Sequence, residues 1–293
     1  MAGSKFEREE FGISDLTANR TRPGVSVIRS SFAICLSAFA AVGAQSVPKS
    51  GAEVFQRMHD AYAGKWYHTL TFVQTTTQRR PNGTDTVTTW YESLRQPANG
   101  RTELRIDFGD PSAGNGVLYT ADSSWRMRGG KLGAATADGN EFLPLIEGVY
   151  FNPVEQTIRE LSSTKTDMSR VIEGRYDGRR VWIIGVSSTA DTTSPQIWID
   201  AERNVAVRAI IPASPNLPMF DIHLDGYVPI ESTWLASKIT MLQSGVPRQK
   251  EEYRDWKVNV DIFPRASSTS PPGRRRHIGR SVRNAGERET RLK

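Results

Sequence analysis

The stretch from Trp66 to Arg95 reads WYHTLTFVQTTTQRRPNGTDTVTTWYESLR and contains two strand-like runs on either side of a turn. In the first run, Leu70 and Phe72 occupy alternate positions, so both point to one face of an extended chain. The dipeptide Asn82-Gly83 between the runs is typical of tight hairpin turns. We therefore predict an antiparallel hairpin with one apolar face.

The same pattern continues along the chain as far as Ile262. In RTELRIDFG, residues 101–109, the apolar side chains Leu104, Ile106 and Phe108 alternate with charged ones, as in a strand with one dry face and one wet face. Further tight turns are predicted at residues 121–123, 177–178 and 202–204. Because nearly every connection is short, sequence neighbours are expected to pair antiparallel, in a sheet of about ten to eleven strands.

Two short helices interrupt this pattern. Ser50-Gly-Ala-Glu53 has the S-x-x-E form of a capping box, apolar residues follow at helical spacing, and Gly64 is placed to end the helix. A second helix is predicted after Asn152 as its cap and Pro153 as its first residue. An apolar loop, residues 142–151, precedes it.

An apolar run of about 12 residues near the N-terminus lies within Ser26–Ser46, SVIRSSFAICLSAFAAVGAQS, and falls short of the ~20 residues that span a bilayer. It ends in Ala-Val-Gly-Ala before Gln45, which is typical of a signal-peptide cleavage site. We predict an N-terminal extension with a signal peptide over residues 1–44, and hence export to the periplasm; a buried helix is the alternative. The only cysteine, Cys35, would be removed with it, leaving no disulfide.

The C-terminal residues 265–293 carry nine Lys and Arg against two Glu and lack apolar periodicity, which predicts a disordered basic tail. The whole chain has a formal net charge of +6, so the central domain, residues 45–264, is slightly acidic. The basic isoelectric point therefore does not indicate nucleic-acid binding. The tail suggests at most a transient contact with anionic lipid head groups.

The sequence lacks the usual catalytic motifs: a G-x-S-x-G elbow, an H-E-x-x-H pair, a cysteine nucleophile and a glycine-rich phosphate loop. Asp221, His223 and Asp225 alternate on one strand and suggest a metal site or an acid and base pair. The alternative is the solvent face of a strand whose Ile222 and Leu224 point inward. We expect no catalytic residue, no bound metal and no cofactor.

Four elements, in this order, resemble the periplasmic carriers that sort outer-membrane lipoproteins, the LolA-like family: FVQTTTQ, WYESLRQP, VLYTADSSWRMRGGKL and IWIDAERNVAVRAII. The similarity covers roughly residues 50–261. It implies a mainly β (α+β) fold, an incomplete antiparallel β-barrel with two short helices as a lid. It also implies an apolar interior for acyl chains, and a role for Arg95 in holding the lid closed.

An exported one-faced sheet with little helical cover independently predicts a hydrophobic cleft. The residues expected to line it are Leu70, Phe72, Trp90, Leu104, Ile106, Phe108 and Trp125. They would bind acyl chains by burial, at ~25 cal/mol per Å² of apolar surface; ordinary core packing is the alternative for each of them.

The leading hypothesis is a soluble periplasmic carrier, not an enzyme, that moves lipid or lipoprotein cargo toward the outer membrane. Its expected partners are an inner-membrane donor and an outer-membrane acceptor. The alternative is a structural or adhesive envelope module with a fully packed barrel. A hydrolase built on Asp221, His223 and Asp225 is a third hypothesis.

Overall fold

The computed structural model describes residues 46–97, 101–140, 142–212 and 219–262. The predicted signal peptide and basic tail lie outside the described residues. The described chain contains three α-helices: α1 (Gly51–Tyr62), α2 (Leu143–Ile146) and α3 (Val154–Glu160). It also contains fifteen strands: β1 (Thr69–Arg79), β2 (Asp85–Arg95), β3 (Glu103–Phe108), β4 (Gly116–Tyr119), β5 (Ser124–Arg128), β6 (Lys131–Thr136), β7 (Val171–Tyr176), β8 (Arg179–Ile184), β9 (Gln196–Asp200), β10 (Ala206–Ile211), β11 (Phe220–Asp225), β12 (Val228–Ile230), β13 (Thr233–Leu235), β14 (Lys238–Gln243) and β15 (Val246–Val258).

Thirteen of these strands form one antiparallel sheet in the order β6-β5-β4-β3-β2-β1-β15-β14-β11-β10-β9-β8-β7. The long strands β1 and β15 pair at its centre and join the two halves. β12 and β13 pair separately. Within the described residues the sheet ends at β6 and β7, so it does not close, which confirms the predicted mainly β, incomplete barrel and does not fit the fully packed barrel.

The described residues contain more strands than the ten or eleven predicted, because glycines and turns divide several of the predicted runs. Gly129 and Gly130, both with positive φ, turn the chain between β5 and β6. In the same way, Ala236 and Ser237 separate β13 from β14. Each break adds a strand without altering the antiparallel order.

The first helix forms where the capping pattern predicts it. The Ser50 hydroxyl accepts a hydrogen bond from the Glu53 backbone N–H at 3.3 Å, and Gly64 adopts φ +69° after the last turn. The carboxylate of Glu53 does not complete the capping box; it accepts from the Lys49 N–H at 2.8 Å and pairs with Arg57. The helix start therefore has one cap bond from Ser50 and a second contact one residue upstream.

The second predicted helix, α3, begins one residue late, with Pro153 rather than Asn152 at the cap position. The apolar loop predicted before it is largely helical: it forms α2 and a 3-10 turn at Gly148–Tyr150. Its apolar side chains are buried against the sheet, which favours compact helical turns over an extended loop. The described residues therefore contain one short α-helix more than the two predicted.

A single large hydrophobic core lies between one face of the sheet and the helices. We call this side of the sheet, which carries Leu70, Leu104 and Ile106, the inner face, and the other side the outer face. A smaller cluster around Trp198 packs on the outer face. Among the described helices, none combines the length and the apolar character needed to cross a bilayer.

Candidate functional site

A cavity of about 170 Å³ lies between the inner face of the sheet and the helices. The sheet lines it because strand alternation turns every second side chain inward. The apolar side chains supplied by the sheet, by β13 and by the segment that joins β13 to β14 are Leu70, Phe72, Trp90, Leu94, Leu104, Ile106, Ala206, Ile222, Leu224, Trp234, Leu235, Ala236, Ile239, Met241 and Trp256. The cavity is therefore lined largely by aliphatic and aromatic groups.

The opposite wall is a helical layer, which we define as residues 51–67 and 142–164. It contributes Trp66, Phe142, Leu143, Ile146 and Tyr150 to the cavity. Trp66 stacks on Tyr150 with ring centroids 3.7 Å apart. The Tyr150 hydroxyl donates to the carbonyl of Asn204 at 3.2 Å, in the turn between β9 and β10. Aromatic packing and this bond fasten the helical layer to the second half of the sheet.

Glu147 is a buried carboxylate at the centre of the helical layer. Its two oxygens accept hydrogen bonds from Trp66 Nε1 at 2.9 Å and from the Tyr67 hydroxyl at 2.5 Å. Burial raises the pKa of Glu147 to about 7, although both hydrogen bonds favour the charged form. This carboxylate connects the residues after α1 to the turn after α2, and it also lines the cavity.

A polar group interrupts the apolar wall at the centre of the sheet. It consists of Gln74 on β1, Glu92 on β2, and Glu251 and Tyr253 on β15, all of which line the cavity. The carboxylate of Glu251 accepts from the Tyr253 hydroxyl and from the Gln249 side-chain amide. Burial raises the pKa of Glu251 despite these donors. We call this group, with its two carboxyl side chains Glu92 and Glu251, the acidic patch of an otherwise apolar cavity.

Five of the seven residues predicted to line a cleft lie on this cavity: Leu70, Phe72, Trp90, Leu104 and Ile106. Phe108 follows them on the inner face but lies at the end of β3, 37% exposed, where its ring packs edge-on against Trp90 at 5.3 Å. It belongs to the rim, outside the cavity.

Trp125 does not face the cavity. It pairs with Leu118 on β4, whereas the inner-face residues of β4 are Val117 and Tyr119, which pair with Ile106 and Leu104. Cross-strand partners share a face of the sheet. Trp125 therefore lies on the outer face. The prediction placed it inward because the sequence alone does not reveal which parity of β5 points inward.

Arg95 also lies on the outer face. It follows Leu94, which points into the cavity, and its guanidinium pairs with Glu103 on the neighbouring strand β3. A position on the face opposite the helical layer gives no direct support to the lid-holding role that the resemblance implied.

The three polar residues of β11 point away from the cavity, whereas Ile222 and Leu224 between them line it. Arg208 donates to both oxygens of Asp221 at 2.7 and 2.8 Å, and the Tyr176 hydroxyl contacts Asp225 at 2.9 Å and His223 Nδ1 at 3.0 Å. Burial raises the pKa of Asp221, but the bonds from Arg208 outweigh it and hold that pKa well below its usual range.

These side chains bond to one another or to Arg208 and Tyr176, except that His223 Nε2 is buried without a hydrogen-bond partner among the described residues. The strand is the amphipathic one that the alternative interpretation described. The hydrolase hypothesis required Asp221, His223 and Asp225 to face a pocket, and these side chains do not face the cavity. In the described ranges no three His, Cys, Asp or Glu side chains come together in a group able to hold a metal ion.

The sequence interpretation missed Glu92, Glu147 and Glu251. A signal for Glu92 was present, because in Trp90-Tyr-Glu92-Ser-Leu94 the carboxylate shares the parity of two apolar residues. Glu251 and Tyr253 likewise alternate on β15. A charged residue at an inward position of a one-faced strand is the feature that would have identified them.

Comparison with known proteins finds likeness in structure only. No protein-family model matches the chain, and no curated protein matches its sequence. A DUF1329 family protein from Desulfovibrio piger matches with a TM-score of 0.51 and 12% identity, over 73% of this chain and 93% of that one. A domain from Vibrio parahaemolyticus described as an outer membrane lipoprotein-sorting protein matches with a TM-score of 0.50 and 12% identity, over 73% and 94%.

A LolA superfamily protein from Nitrosomonas europaea is more distant, with a TM-score of 0.45 and 10% identity over 73% of this chain and 94% of that one. Identities this low concern the fold and leave activity open. With its open antiparallel sheet and its helices over the inner face, this chain has a LolA-like fold.

Proposed function

We propose that this protein is an exported carrier that takes the acyl chains of a lipoprotein or another lipid into the cavity. It holds the cargo without changing it chemically and passes it on toward the outer membrane. The observation that supports this proposal most is the apolar cavity between the inner face and the helical layer. An acyl chain needs no hydrogen-bond donors, so apolar lining is sufficient to bind it.

The size of the cavity indicates how such binding would proceed. An apolar cavity of about 150 Å³ accommodates a group the size of benzene, and the cavity here measures about 170 Å³. A short apolar segment fits this arrangement, whereas a full acyl chain requires more space. We propose that the helical layer moves away from the sheet to admit it, since the layer is held there by side-chain packing and a few hydrogen bonds.

The cellular setting belongs to the same proposal. The predicted signal peptide and the LolA-like fold favour a periplasmic location, with delivery between an inner-membrane donor and an outer-membrane acceptor. The basic residues 265–293 are suited to a transient contact with anionic lipid during transfer.

A dye-displacement experiment tests the container role. Ala236 lines the cavity, so Ala236→Trp places an indole in the space proposed for the ligand. Ala134 lies on the exposed edge strand β6, and Ala134→Trp is the matched control. We expect the wild-type protein and Ala134→Trp to bind an environment-sensitive apolar dye that fatty acid displaces, and Ala236→Trp to bind it about tenfold more weakly.

Equal dye binding by all three proteins would place the dye elsewhere and contradict the proposal. The absence of any uptake by the wild-type protein would favour the structural envelope module instead.

A further inference from the structure

Three buried carboxyl groups line a cavity that is otherwise suited to apolar chains: Glu147 in the helical layer, whose two oxygens both accept hydrogen bonds, and Glu92 and Glu251 on the sheet. Glu92 is 5% exposed and Glu251 is 6% exposed. They belong to β2 and β15, the two strands that flank β1, and both line the cavity. On β1, Glu92 is paired with Phe72 and Glu251 with Thr76, four positions further along the strand; between them Tyr253, whose hydroxyl reaches Glu251, is paired with Gln74. The two acids therefore line the same cavity from either side of β1, offset along that strand.

The two acids differ in their partners. Glu251 accepts hydrogen bonds from Tyr253 and Gln249, two neutral donors on its own strand. The side chain of Glu92 receives no hydrogen bond from any described residue, and no Lys or Arg in the described ranges forms an ion pair with either acid. Burial, with the charge of Glu251 as a second cause, raises the pKa of Glu92 well above its usual range.

Glu92 thus presents to the cavity a carboxyl group that has no protein partner among the described residues, and a ligand in the cavity is a candidate partner for it. A cation beside Glu92 would favour the charged form of its carboxyl group over the protonated form that burial favours. The ionised carboxylate only accepts hydrogen bonds, so the complementary group must donate them. An ammonium group supplies three donors and a positive charge, and its attraction to two carboxylates is strong where water is excluded. A phosphate or carboxylate head group supplies neither acid with a positive partner.

We propose that the cavity selects amphiphiles with a primary ammonium head group, which binds between Glu92 and Glu251 while the apolar chain lies against the rest of the lining. This inference rests on the proposed carrier function and names a class of cargo for it. Glu92 is the residue that gains a partner on binding. Glu251, held in place by Tyr253 and Gln249, supplies the second acceptor.

Three ligands with the same eight-carbon chain separate the head group from the chain: octylamine, octan-1-ol and octanoate. Titration of the full-length protein by calorimetry at pH 7.5 measures each affinity. We expect octylamine to bind about tenfold more tightly than octan-1-ol, and octanoate to bind more weakly than either, as for a charge-assisted contact.

Matched variants locate the preference. Glu92→Gln and Glu251→Gln keep the size of the side chain and remove its charge, and each should reduce the preference for the amine to about twofold or less. Glu252→Gln removes a charge from the neighbouring position on β15, which is exposed, and should leave the preference unchanged. Circular dichroism confirms that each variant is folded, and the binding of octan-1-ol shows that its cavity persists.

Three outcomes would overturn the inference. Equal affinity for octylamine and octan-1-ol would remove the head-group site and leave the carrier function standing. A preference for the amine that survives in both Glu92→Gln and Glu251→Gln would place the site elsewhere. If none of the three ligands binds the wild-type protein, the proposed carrier function fails together with the inference.

Discussion

At the scale of single residues, the buried acids distinguish this cavity from a simple apolar core. Glu92, Glu147 and Glu251 are each less than a tenth exposed, yet no ion pair with Lys or Arg is formed by any of them in the described ranges. Burying a charge without a counter-ion is costly, and the group responds by binding its proton more tightly. The stability of the protein is therefore expected to depend on pH.

Glu147 gives the first prediction. Its pKa is about 7 in the folded protein, against 4.5 as the ordinary value, so its contribution to stability is fully present below pH 4.5 and is lost as pH rises through 7. The loss is on the order of 3 kcal/mol. Urea unfolding measures the free energy of unfolding at pH 5 and at pH 8. The decrease between these two pH values should be smaller for Glu147→Gln than for the wild-type protein.

Glu147→Leu serves as the comparison. It leaves Trp66 Nε1 and the Tyr67 hydroxyl without their shared acceptor, and it should be about 2 kcal/mol less stable than Glu147→Gln at pH 5. Equal stability of the two variants would show that the hydrogen bonds at Glu147 contribute little.

Glu92 gives the second prediction. Because its folded pKa is raised, the wild-type protein loses stability as pH rises above the ordinary carboxyl pKa, and Glu92→Gln should not lose this contribution. The unfolding midpoint of Glu92→Gln in urea should therefore rise relative to the wild-type midpoint between pH 5 and pH 8. Glu252→Gln, on the exposed side of β15, should follow the wild-type protein at both pH values; a Glu92→Gln curve parallel to the wild-type curve would contradict the assignment.

At the scale of elements, local sequence predicts structure well wherever the cause is itself local. The Asn82-Gly83 turn joins β1 and β2, Asp177-Gly178 joins β7 and β8 with both residues at positive φ, and Ser50 caps α1. The orientation of a strand is a different matter, because only its partners decide which parity faces the core. Leu70 and Ile106 were placed correctly by apolar alternation, whereas Trp125 follows its cross-strand partner Leu118 to the outer face.

The cap of α1 gives the third prediction. Ser50→Ala removes the acceptor for the Glu53 N–H and should lower the unfolding free energy by about 1 kcal/mol, whereas Ser50→Asp keeps an acceptor and should lower it by less. Urea titration of both variants measures the difference. Equal destabilisation by the two substitutions would mean that the capping bond does not contribute.

At the scale of the whole molecule, the open sheet and the thin helical layer explain why a cavity remains. Thirteen antiparallel strands present more inner-face surface than three short helices cover. That imbalance was predictable from strand alternation and the scarcity of helical periodicity. The acidic patch was not, because it combines residues of the β1–β2 hairpin with residues of β15, which is far away in sequence and joins the hairpin only when β1 and β15 pair.

Mass spectrometry tests the central claim, that the cavity carries lipid, most directly. The full-length chain, exported from a bacterial host and purified without detergent, is measured under native and then denaturing conditions. We expect the native mass to exceed the polypeptide mass by that of a bound lipid, and solvent extraction to recover a molecule with acyl chains. Identical native and denatured masses, with no lipid in the extract, would contradict the account.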